Sequence, residues 1–100
     1  MYNKISEHKN VRMFLISNFL DTLFDDCIED LIYLYIKNES NNKKKFICNE
    51  ITKFIESDID IEEKNEFITH NAGICYELIQ KEPIIWLEEV RDKIIESCCD

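Results

Sequence analysis

The chain has 100 residues and carries 21 acids against 12 bases, for a net charge of −9. That length supports one hydrophobic core and one domain, residues 1–100, and excludes a cofactor domain beside a substrate domain. The negative field repels nucleic acid and anionic membranes and attracts basic protein surfaces, which argues against direct nucleic-acid binding.

Apolar residues make up 45% of the chain, enough for a real core, while one glycine and one proline leave little material for hairpin turns. The expected fold is all-α, a small bundle of four or five amphipathic helices. No apolar run approaches the ~18 residues of a membrane span, and Met1-Tyr2-Asn3-Lys4 has no apolar stretch behind its charges. The expected location is therefore cytoplasmic, or the host cytoplasm if the protein is viral, with no membrane partner.

In chain order, residues 1–10 are polar and aperiodic and read as a loosely ordered N-terminus, with Ser6 or Asn10 as the cap of the first helix. From Val11 to Ile36 apolar side chains recur at three and four: Met13, Ile16, Phe19, Leu20, Leu23, Phe24, Cys27, Ile28, Leu31, Ile32 and Tyr35. The pattern fits one long helix or two joined near Asp21-Thr22, where Thr22 and Asp25 resemble a capping box. Residues 37–45 contain no apolar side chain and read as a polar loop, including Lys43-Lys44-Lys45 as a solvated run.

A helix follows with Phe46, Ile47, Ile51, Phe54 and Ile55 as its stripe, ending at Ser57-Asp58. Asp60 and Glu63 make a second capping-box pair ahead of Phe67, Ile68, Ala72, Cys75, Leu78 and Ile79, interrupted by Gly73. Gly73 marks a helix end after Asn71 or a close helix contact. Glu82-Pro83 then turns the chain into a closing helix whose stripe is Ile84, Leu87, Val90, Arg91 and Ile94, with Trp86 on the Val90 side. The earlier helices are expected to pack onto it.

Five cysteines without an export signal read as free thiols: Cys27, Cys48 and Cys75 as small core hydrophobes, Cys98 and Cys99 as an exposed, more reactive end. No Cys-x-x-Cys occurs, and His8 and His70 lie at no ligand spacing, so no metal is expected. Asp58-Ile59-Asp60-Ile61-Glu62 alternates like the start of a calcium loop but lacks the mid-loop glycine and the closing glutamate. No nucleophile elbow or phosphate-cradling glycine loop is present, and His70 stands five residues from Cys75, well around a helix from it. The chain is accordingly read as non-enzymatic, with no catalytic residue and no cofactor.

Charge is the informative pattern. Residues 1–55 hold eight acids and eight bases, whereas residues 56–100 hold thirteen acids and four bases. Two acidic ladders stand out: Asp21, Asp25, Asp26, Glu29 and Asp30, and then Glu88, Glu89, Asp92 and Glu96, the second relieved by Arg91 and Lys93. At about 6 Å per turn of four residues, each stacks carboxylates on one helix face, like a row of phosphates.

Tyr76-Glu77-Leu78, followed by Trp86-Leu87-Glu88-Glu89-Val90, resembles the closing helices of the Ocr-type bacteriophage anti-restriction proteins. The resemblance implies a small acidic helical DNA mimic that fills the DNA groove of a restriction enzyme. Other phage-encoded nuclease inhibitors, anti-CRISPR proteins among them, share the size, acidity and helicity. The expected function is to dock these acidic residues on a protein partner with a basic surface, as an inhibitor of a nucleic-acid-binding defence enzyme. The alternative is a structural or assembly protein that forms a homodimer through an apolar helix face, with acidity serving solubility.

Overall fold

The computed structural model describes residues 8–19, 28–72 and 80–98, and every regular element among them is helical. The helices are α1 (Lys9–Phe19), α2 (Ile28–Asn38), α3 (Asn41–Glu56), α4 (Ile61–Asn71) and α5 (Pro83–Ser97). The all-α bundle read from the sequence is the fold observed.

α5 is organised as its periodicity dictates. Pro83 occupies the first turn, where its missing N–H costs no hydrogen bond, and Ile84, Trp86, Leu87, Val90 and Ile94 are buried. Its most extensive partner is α3. The two run antiparallel, because Lys44 near the start of α3 reaches Ser97 at the end of α5, while Thr52 further along bonds Arg91. α4 and α2 flank α5, and α1 closes the bundle against α2, α3 and α4. Phe19 meets the Trp86 ring edge-on at 5.0 Å between centroids, and Phe54 lies 4.9 Å from Phe67. Such aromatic pairs add to plain burial.

α1 and α2 pack against each other, which two halves of one straight helix cannot do, so the two-helix alternative holds. The junction at Asp21-Thr22, with its capping pair, lies outside the described residues. α1 begins at Lys9, so Asn10 is inside the helix and its Nδ2 donates to Glu50 Oε1 at 2.8 Å instead of capping, which corrects the loosely ordered reading for residues 8–10; Ser6, the other cap read from the sequence, lies outside the described residues with the rest of residues 1–7. α4 ends at Asn71 with Ala72 as its C-cap, one of the two outcomes that Gly73 foretold.

The polar loop read over residues 37–45 is a correction. Only Glu39 and Ser40 separate α2 from α3. Ser40 is an N-cap with extended backbone, its Oγ accepting the Lys43 N–H at 3.3 Å. Lys44 is not solvated but 5% exposed, and its Nζ donates to Ile36 O at 3.3 Å and to Ser97 Oγ at 3.2 Å. Lys64, 7% exposed, repeats the device, donating to Ile55 O at 2.6 Å and Ser57 O at 2.8 Å. Each lysine stands four residues after its N-cap, Ser40 or Asp60, and reaches back to carbonyls at the end of the preceding helix. Those carbonyls lack intrahelical donors and sit at the negative end of the helix dipole, so an ammonium is a fitting partner.

The Asp60–Glu63 capping box does not form: Asp60 is the N-cap of α4 but makes no side-chain cap bond. A cap from outside serves α5 instead. Glu82 does not cap it, and Asn65 on α4 accepts the Ile84 N–H at 3.0 Å. One side chain thus closes an orphan donor and ties α4 to α5.

Trp86→Ala is expected to cost about 3 kcal/mol or more in urea unfolding, since it empties a buried ring site against Phe19. Lys64→Met keeps the aliphatic stem and removes only the ammonium, leaving two carbonyls without their donor. The expected loss is about 1–3 kcal/mol, against nearly none for the exposed Lys45→Met measured alongside.

Candidate acidic interface

α5 divides its circumference between core and solvent. With its stripe buried against α3 and α4, the opposite arc presents Glu88, Glu89, Asp92, Lys93 and Glu96, together with the exposed Ile85 and Ile95. Glu88, Asp92 and Glu96 are spaced by four and stand in a row along this arc.

The row is only partly neutralised. Lys81 Nζ lies 2.6 Å from Glu89 Oε2, and the Arg91 guanidinium donates to Asp92 Oδ1 from Nε at 3.2 Å and Nη2 at 3.1 Å. Arg91 Nη1 also donates to Thr52 Oγ1 at 3.3 Å, which anchors that guanidinium on α3 and leaves it half-buried at the edge of the stripe. Glu88 and Glu96 make no ion pair among the described residues.

Of the first ladder, Asp21, Asp25 and Asp26 lie outside the described residues; Glu29 and Asp30 are exposed in the first turn of α2. The fold joins what the sequence separates: Lys93 Nζ on α5 lies 3.6 Å from Glu29 Oε1 on α2. Lys93 therefore reaches across to Glu29 of the other ladder instead of relieving its own. Sequence spacing could not show this, nor the role of Lys81, because both depend on tertiary neighbours.

His8 meets Phe54 edge-on at 5.1 Å, and His70 is exposed in the last turn of α4; its conceivable partner Cys75 lies outside the described residues. Among the described residues no three His, Cys, Asp or Glu side chains are placed to hold a metal ion. Nor is any described helix long and apolar enough to cross a membrane.

The reading of Cys98 as an exposed thiol is corrected: it is buried, because its position continues the inward stripe of α5 past Ile94. Cys99 lies outside the described residues, as do Cys27 and Cys75. Cys48 is buried in the α3–α5 seam with its thiol directed at Arg91 O, 3.6 Å away. Burial, with the neighbouring Cys98 adding to it, pushes the Cys48 thiol up to about 11. Burial and then Glu39 push the Tyr35 phenol up to about 12.

No protein-family model matches this chain, and neither the curated proteins nor the solved structures include a match.

Both Cys48 and Tyr35 favour their neutral form when folded, so folding holds their protons more tightly than the unfolded chain does. Their contribution is complete below pH 9 and is lost as pH rises from 9 towards 11 for Cys48 and from 10 towards 12 for Tyr35. Chemical denaturation across pH 8 to 11 should show stability falling with pH above about 9, and Cys48→Ala and Tyr35→Phe should each flatten the fall. Cys48 and Cys98 should also react with a thiol reagent at pH 7.5 far more slowly than the same thiols in urea, as buried thiols do.

Proposed function

We propose that this protein acts without catalysis, by docking its acidic α2–α5 face on the basic surface of a protein partner, and that the partner is a nucleic-acid-binding defence enzyme that it inhibits as a DNA mimic. The observation that carries this reading is the row Glu88, Asp92 and Glu96 on the outward arc of α5, in which Glu88 and Glu96 make no ion pair among the described residues. The Glu29–Lys93 bridge brings Glu29, in the first turn of α2, to α5. Ile85 and Ile95 among these acids offer apolar contact beside the charge, the mixture that an interface of moderate size uses. A row of carboxylates on a rigid helix offers a nucleic-acid-binding groove the charge pattern of a phosphate backbone, and opposed fields accelerate the encounter. The likeness of the closing helix to Ocr-type proteins supports the choice of partner class, as does the excess of acid over base in residues 56–100.

The test is cleavage of DNA by a panel of purified restriction and CRISPR nucleases with and without the protein. Inhibition of at least one is expected, weakening steeply as salt rises, because charges across the encounter are screened beyond about 8–10 Å at physiological ionic strength. Glu88→Lys combined with Glu96→Lys should abolish it while leaving the helical circular-dichroism signal and melting temperature unchanged, since neither acid holds an ion pair among the described residues. A folded double variant that inhibits as well as the original chain would refute the acidic-face reading.

A further inference from the structure

We draw no further inference here: the strongest candidate, the open groove between α1, α2 and α3 beside the exposed Met13 and Phe46, carries nothing, because nothing in the structure shows what covers it.

Discussion

Two buried ammonium groups set the geometry on which everything else rests. Burying a lysine is unfavourable unless its charge and donors are met, and Lys44 and Lys64 meet theirs with carbonyls at the ends of α2 and α3. Each stands near the start of its own helix, where the dipole disfavours a cation, and reaches to the end of the preceding helix, where it favours one. The connections they span are short, Glu39-Ser40 and Ser57 to Asp60, so the bonds fix the exit of one helix against the entry of the next. Lys44 adds Ser97, and so holds the far end of α5 to the start of α3. With α2, α3 and α4 oriented in this way, α5 has one trough to fill.

The trough explains which parts of the fold could be read from sequence. The stripe Ile84, Leu87, Val90 and Ile94 was legible because a helix buried along one side must repeat at three and four, and Trp86 was legible beside it. Arg91 was placed in the stripe by spacing, and its guanidinium turns out at the edge, held by Thr52 and Asp92 while its stem packs inward. The start of α3 was not legible, since three lysines after asparagines look like a solvated loop. The signal was there in another form. Ser40 is a strong N-cap, and a lysine in the first turns of a helix opposes the dipole, which implies a partner elsewhere. Likewise a capping box was expected at Asp60-Glu63 and none formed; the cap that mattered was Asn65 on the neighbouring helix, which no local pattern marks.

The candidate interface shows the same division. The row Glu88, Asp92 and Glu96 followed from spacing alone, because residues four apart share a helix face. Which acids stay free did not follow. Lys81 pairs with Glu89 from the turn before α5, Arg91 takes Asp92, and Lys93 leaves its own helix for Glu29. Charge counting along the sequence would assign both Arg91 and Lys93 to relieve the ladder locally. The packing of α2 against α5 brings Lys93 to Glu29 instead.

α5 separates its apolar and its charged residues onto opposite arcs. The inward arc is apolar and enclosed by α3 and α4, so a change there alters stability first. The outward arc holds Glu88, Asp92 and Glu96 four residues apart, a like-charge spacing that costs a helix a few tenths of a kcal/mol per pair and that the Arg91–Asp92 bond relieves in part. Bases are available in this chain, yet several of them are spent elsewhere: Lys44 and Lys64 on helix ends, Arg91 partly on Thr52, Lys93 on a bridge to α2. Glu88 and Glu96 remain without an ion pair among the described residues while the bases of the same chain hold its helices together. Surface charge and core packing therefore rest on different residues of the same helix.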